Sequence, residues 1–175
     1  MNAPSRGSFL VGVMSPQTLA RTSERLRVRR LSTIRLCLVN AKLAKGSKEV
    51  EEQWDVYLTH EVDQWLHDLE KSDADSYVLV NQAIWILACH GPAEGRPLVD
   101  RVKGSALHNL KELRPGSSGR SEVRVLFVFD PWRSAILLVA GDKAGNWKAW
   151  YDEAIPLAER RYAEYVADRK KESGK

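Results

Sequence analysis

The sequence predicts a small α+β domain: an antiparallel-rich sheet with two N-terminal helices and a C-terminal helix against it, in the order β-α-α-β-β-β-α. Three patterns carry that expectation. Residues 54–58 alternate apolar and polar, as a half-buried strand does. Residues 62–87 repeat apolar positions every three or four, as packed helices do. Residues 123–140 hold two runs that are apolar on both faces, as central strands are.

Taken in order, the first strand begins near Gln53, where Trp54, Val56 and Leu58 alternate with Asp55 and Tyr57. A helix follows at once, with Val62, Trp65, Leu66 and Leu69 on one stripe and Glu61, Asp63, His67, Asp68 and Glu70 outside it. Ser72-Asp73 supplies an N-cap for a second helix that buries Tyr77, Val80, Ile84 and Leu87 and stops at His90-Gly91-Pro92. His108 to Arg114 reads as a strand, and residues 115–119 as a flexible loop. Glu122 to Phe129 and Ser134 to Ala140 are the central strands, joined by a turn at Asp130-Pro131-Trp132-Arg133. After a loop at 141–146, the last helix is expected from Asp152, with Pro156 in its first turn and Ala158, Tyr162 and Tyr165 packed inward.

Composition narrows the class. The chain has 175 residues and 19.8 kDa, 43% hydrophobic and 29% charged, which suits one globular domain with a possible appendage. No window approaches the roughly 20 apolar residues of a membrane span. Cys37 and Cys89 lack metal-ligand spacing, which argues against a zinc ribbon or a disulfide scaffold and favours a reducing compartment.

The net charge of +4 is unevenly spread. Residues 1–48 carry seven Arg and three Lys against Glu24 alone, a net +9. Segment 49–100 is −10, segment 101–148 is +5, and the remainder is neutral. The reading therefore divides the chain into a basic, disordered leader (1–48) and a folded domain (49–175). No strand is expected in the leader, and a chain starting near Val50 is expected to fold and act as the full chain does. Its alternative is a nucleic-acid-binding arm.

Two constellations can carry chemistry. The first is cationic: Lys111, Arg114, Arg120, Arg124, Arg133, Lys143 and Lys148. Period 2 puts Glu112 and Arg114 on one strand face, and Arg124 beside Leu126 and Val128. A guanidinium among apolar neighbours needs an anion. That anion is a ligand's phosphate, or Glu112 in an internal ion pair with Arg114 or Arg124. The second runs from Gly141 to Tyr151, where Lys143, Trp147, Lys148, Trp150 and Tyr151 combine stacking platforms with phosphate charge. The two tryptophans equally suit a core cap where the helix docks.

Leu110-Lys111-Glu112-Leu113-Arg114, then Val123-Arg124-Val125-Leu126-Phe127, then Gly141-Asp142-Lys143-Ala144-Gly145-Asn146-Trp147 with Trp150-Tyr151, and Ala154-Ile155-Pro156-Leu157-Ala158 resemble the RelE/ParE toxin superfamily. The nearest branch is the HigB-like, phage-derived one, and the likeness spans about residues 52–170. It implies a RelE-like domain that is the toxin of a type II toxin–antitoxin module. Such a toxin is an endoribonuclease that cleaves mRNA on the translating ribosome by 2′-OH attack, without metal or other cofactor. It works in the cytoplasm and is neutralised by a helix-turn-helix antitoxin that covers the basic face or blocks entry to the decoding site. The resemblance assigns catalysis to Arg114, Arg124, Tyr151 and Lys143, and RNA contacts fall to Lys111, Arg120, Trp147, Lys148 and Trp150. Proton transfer stays open among Tyr151, His108 and Glu112, because Glu112 stands where ribosome-dependent relatives carry a lysine. The alternatives are a ParE-like gyrase inhibitor without nuclease activity, or an accessory nucleic-acid-binding protein acting through the basic tail.

Overall fold

The computed structural model describes residues 26–31, 53–116 and 119–173. Its strands are β1 (Val28–Arg30), β2 (Asp55–Thr59), β3 (Val99–Arg101), β4 (Lys111–Leu113), β5 (Val123–Phe129) and β6 (Ser134–Asp142). Its helices are α1 (His60–Ser72), α2 (Ala74–His90) and α3 (Trp147–Ser173). The six strands form one sheet in the order β1-β2-β6-β5-β4-β3. Only β2 and β6 pair in parallel; every other pairing is antiparallel. The expected α+β class and element order hold, with short edge strands added at both sides of the sheet.

Local chemistry sets the helix ends. Thr59 Oγ1 accepts from Val62 N at 3.4 Å to open α1, and Asp73 Oδ1 accepts from Ser76 N at 3.0 Å to open α2. Gly91 closes α2 at φ +56, and a Cβ there would lie 2.2 Å from the Trp54 indole nitrogen. No other residue fits that turn.

The sheet is covered on both sides because its central strands are apolar on both faces. On one side Val56, Leu58, Val125 and Phe127 pack against Val62, Val80, Ile84 and Leu87 of α1 and α2. On the other, Leu126, Val128, Ile136 and Leu138 pack against Ala154, Ala158 and Tyr165 of α3. A β-bulge at Leu138 interrupts the β5–β6 register, so Leu138 and Val139 both belong to the α3 side. The Leu138 carbonyl accepts from Thr59 Oγ1 at 3.3 Å and from Arg161 Nη1 at 2.6 Å, while Arg161 Nη2 meets Glu61 at 3.2 Å. One arginine thus ties α3 to the sheet and to α1.

Three expectations are corrected. The strand expected over His108–Arg114 is only Lys111–Leu113, and His108 lies in the turn before it. The last helix begins at Trp147, five residues early, so Pro156 sits inside it rather than in its first turn. Asn146 ends the loop, and its carbonyl accepts from Trp150 N at 3.1 Å to start the helix.

The third correction lies inside the expected leader, where Val28–Arg30 is a strand. Val-Arg-Arg shows no apolar alternation, and its pairing is with backbone groups of the β2 edge that any residue can meet. Arg27 O accepts from the first amide of α1 (His60 N, 3.0 Å), and Leu31 N donates to Val56 O at 2.8 Å. Arg29 pairs with Asp63 at 3.3 Å and Arg30 with Asp55 at 2.5 Å. Leu26 and Val28 pack on the α3-side cluster and Leu31 on the other. The rest of residues 1–48 lies outside the described residues.

A chain starting near Val50 therefore loses an edge strand that helps close both clusters. Three half-buried aliphatic side chains are worth about 2–4 kcal/mol together, so its midpoint temperature should fall by about 5–10 °C relative to the full chain. Calorimetry giving equal midpoints for the two lengths would show that β1 adds nothing.

Candidate active site

Strand register gathers the site. Asp100 lies opposite Glu112, Glu112 opposite Leu126, and Arg124 opposite Gly141. All belong to the α3 face of the sheet, where Tyr151 arrives from the first turns of α3. The chain continues past β4 with Arg114, whose amide donates to Leu98 O at 2.7 Å.

Glu112 is the centre, only 3% exposed. Its Oε1 accepts from Arg114 Nε at 2.6 Å, and its Oε2 accepts from the Tyr151 hydroxyl in a very short bond. Arg114 Nη2 also touches Oε1 at 2.5 Å and reaches Asp100 Oδ2 at 2.8 Å. Asp100 in turn holds Arg96 at 2.8 Å and accepts from Arg101 N at 2.9 Å. The result is a chain of alternating charge, Arg96–Asp100–Arg114–Glu112–Tyr151. Burial, then the hydrogen bond to Glu112, push the Tyr151 phenol well above its ordinary range, so its hydroxyl keeps its proton. Contact with Arg96 holds the Asp100 carboxyl below the usual range.

Arg124 stands apart from that ladder. Its Nη1 donates to Val123 O at 2.7 Å, while its Nε is buried with no hydrogen-bond partner. Lys143 pairs with Glu122 at 2.9 Å, which lowers the Glu122 carboxyl. Asp142 Oδ1 accepts from Glu122 N at 2.8 Å and Ala144 N at 2.9 Å, fixing the loop that leads into α3. A Cβ at position 141 would lie 2.7 Å from Trp150 Nε1, so glycine there lets the indole lie on the strand beside Arg124's partner position. Trp150 meets Tyr151 edge-on at 4.9 Å. Trp147, 64% exposed, opens α3.

The predicted residues thus divide. Glu112, Arg114, Arg124 and Tyr151 share one face, with Lys143 and Trp150 at its border. The internal ion pair weighed for Glu112 forms with Arg114, not with Arg124. Lys111 pairs with Phe127, whose ring belongs to the α1–α2 cluster, so Lys111 faces the opposite side of the sheet. Arg120, Lys148 and His108 are exposed, and His108 lies outside the Glu112 network. Sequence reasoning missed Asp100 and Arg96. Their only signal is the short Pro97-Leu98-Val99-Asp100-Arg101-Val102 run, too brief to stand out as a strand. Among the described residues no His/Cys/Asp/Glu group is arranged to hold a metal, and no helix is long and apolar enough to cross a membrane.

Fold and site together define a RelE-like α+β domain with an arginine-bearing sheet face. Residues 65–163 match the family model described as phage derived protein Gp49-like (DUF891), and the chain belongs to that family. Two Mycobacterium tuberculosis relatives are similar to it. One, named "Putative toxin HigB2", is 56% identical over 106 residues, covering 61% of this chain and 51% of that protein. The other, named "Putative toxin HigB3", is 47% identical over 112 residues, covering 64% and 93%. The chain therefore spans about half the length of the first relative and nearly all of the second. The resemblance to the HigB-like, phage-derived branch is borne out.

The raised Tyr151 phenol has a thermodynamic consequence. Unfolded tyrosine loses its proton near pH 10 while folded Tyr151 keeps it, so the unfolded state is favoured as pH climbs above about 10. Denaturant midpoints measured at pH 8 and pH 10.5 should fall for the wild type and fall less for Tyr151→Phe. Equal alkaline losses in the two proteins would mean Tyr151 is not held protonated by the fold.

Proposed function

We propose that this chain is the toxin of a type II toxin–antitoxin pair and acts as an endoribonuclease on mRNA at the translating ribosome. The observation that carries the reading is the buried, unpartnered Nε of Arg124. A charged donor left unmatched in a folded protein is costly, and the cost is offset when a phosphate oxygen completes it. The family relationship and the names of the relatives support the toxin assignment. The neighbouring groups support RNA as substrate.

The reaction requires attack of a ribose 2′-oxygen on the adjacent phosphorus. In this reading the 2′-hydroxyl proton passes to Glu112 as the P–O bond forms. The P–O5′ bond breaks, and the leaving 5′-oxygen takes the Tyr151 proton. Products are a 2′,3′-cyclic phosphate and a 5′-hydroxyl. The proton on Glu112 then returns to Tyr151 along their hydrogen bond, restoring the site. Arg124 stabilises the charge that builds on the phosphorane oxygens, and Arg114 holds Glu112 in place. Lys143, released from Glu122, adds charge at the border. Trp147 and Trp150 stack the flanking bases, and Lys148 and Arg120 draw in the strand. His108 and Lys111 have no role here.

The partner is a helix-turn-helix antitoxin in the same cytoplasm. The acidic 49–100 segment and the basic site make the molecule dipolar, and in this reading the antitoxin covers the basic face or blocks entry to the decoding site.

Arg124→Ala should lower RNA cleavage by about two to three orders of magnitude, the loss expected for one transition-state contact, and should abolish growth arrest while folding and antitoxin binding persist. A fully toxic Arg124→Ala protein would remove that arginine from the mechanism. Growth arrest with intact RNA and a DNA-damage response would instead identify a gyrase inhibitor.

A further inference from the structure

Asp100 lies on β3, the short edge strand that the sequence does not announce. It stands directly across from Glu112, and its carboxylate has four donors: Nε of Arg96 at 3.1 Å, Nη2 of Arg96 at 2.8 Å, Nη2 of Arg114 at 2.8 Å and its neighbour's amide at 2.9 Å. It is 14% exposed and anchored from three directions.

Its presence beside a phosphate-binding face is costly. An extra carboxylate next to Arg114 repels the RNA backbone and draws off charge that a pure binding site would keep. Glu112 alone already gives Arg114 an ion-pair partner, so neutralising Arg114 does not explain Asp100. Geometry does. Arg114 Nη2 sits between two carboxylate oxygens, one from each acid, while Nε is aimed at Glu112. Two anchors on one guanidinium fix its plane, whereas a single anchor lets a long side chain swing about it. A fixed guanidinium plane fixes Glu112, and Glu112 fixes the direction of the Tyr151 hydroxyl. Arg96 holds the far side of Asp100 and completes the brace.

We propose that Asp100 is a positioning residue, which clamps Arg114 against Glu112 and so aims the Glu112–Tyr151 proton-transfer pair at the scissile phosphate. The proposal rests on the reading of this face as an RNA-cleaving site. It predicts a separation of turnover from binding. Losing the Asp100 charge slackens the pair and slows the chemical step, yet it also removes a repulsive charge from the RNA path.

The experiment compares wild type, Asp100→Asn and Asp100→Glu on ribosome-bound mRNA under single-turnover conditions. In parallel it measures binding of an RNA oligonucleotide carrying a 2′-deoxy sugar at the cleavage position, together with the thermal midpoint of each protein. For Asp100→Asn the single-turnover rate should fall about 10- to 100-fold, the usual loss when reacting groups are misplaced by an ångström or less. Binding of the 2′-deoxy RNA should be unchanged or tighter, and Asp100→Glu should recover part of the rate. An active wild type with an unaffected Asp100→Asn overturns the positioning role alone. A variant that loses rate, affinity and thermal midpoint together overturns it too, since that pattern belongs to a merely structural ion pair. A wild type that cleaves no RNA, free or ribosome-bound, overturns this proposal and the functional reading together.

Discussion

Two neighbouring strands without a polar side dictate the architecture. Residues of β5 and β6 are buried almost without interruption, so neither face of that hairpin can meet water. Each face requires its own roof, and the chain supplies α1–α2 for one and α3 for the other. The bulge at Leu138 follows from the same demand. It adds a residue to the α3 side and frees a carbonyl, which Thr59 and Arg161 then satisfy. Edge strands β1 and β3 finish the sheet at its two sides, with Val28 packed on the α3-side cluster and Val99 in the α1–α2 one.

The site lies where this apolar regime ends. Arg124 is the one charged residue in β5, next to its entry, and it faces the beginning of α3 rather than the helix middle. Farther along β5, the same face is filled by Leu126 and Val128 against alanines of α3. A guanidinium at the rim can keep its head near solvent while its stem covers the core. The partly enclosed position is what leaves Nε without a mate. Glu112 is buried more deeply, and it is tolerable because both oxygens are engaged, one by a cation and one by a hydroxyl. Arg114 is therefore largely spent on carboxylates, whereas the Arg124 Nε has no hydrogen-bond partner among the described residues.

Much of this was legible in the chain itself. Period 2 placed Glu112 with Arg114 and Arg124 with Leu126, and helical spacing placed α1 and α2, because those patterns depend only on local geometry. The bond from Tyr151 to Glu112 crosses 39 residues and depends on the docking of α3, which no local pattern encodes. Charge alone groups Lys111 with Arg114 and Arg124, although the pleat that turns Glu112 toward α3 turns Lys111 away. Asp100 was hidden because a three-residue strand is too short to show a period. β1 was hidden for a related reason, since backbone pairing at an open edge leaves no mark on side-chain order. Pro156 misled directly: proline marks a first turn more often than a helix interior, and here an earlier start at Trp147 overrides that preference.

Helix α3 shows how fold and chemistry share one device. Its inward stripe begins at Tyr151 and ends at Tyr165, about 21 Å apart along a helix rising 1.5 Å per residue. Each tyrosine gives its hydroxyl to a buried carboxylate, Tyr151 to Glu112 on β4 and Tyr165 to Asp130 in the β5–β6 turn at 2.6 Å. Burial is the first cause that raises both phenols. Their surroundings differ. The other oxygen of Asp130 accepts from Trp132 N at 2.9 Å and Ser134 N at 2.8 Å, so that carboxylate is locked into a turn by uncharged amides. The other oxygen of Glu112 is held by Arg114, and the Arg124 charge acts on Tyr151 as well. At the Asp130 end a tyrosine and a carboxylate make a fastener. At the Glu112 end the same pair lies within the field of two guanidiniums, the surroundings that the proposed proton transfer requires. Fastening the helix at one end holds the Tyr151–Glu112 pair in register at the other.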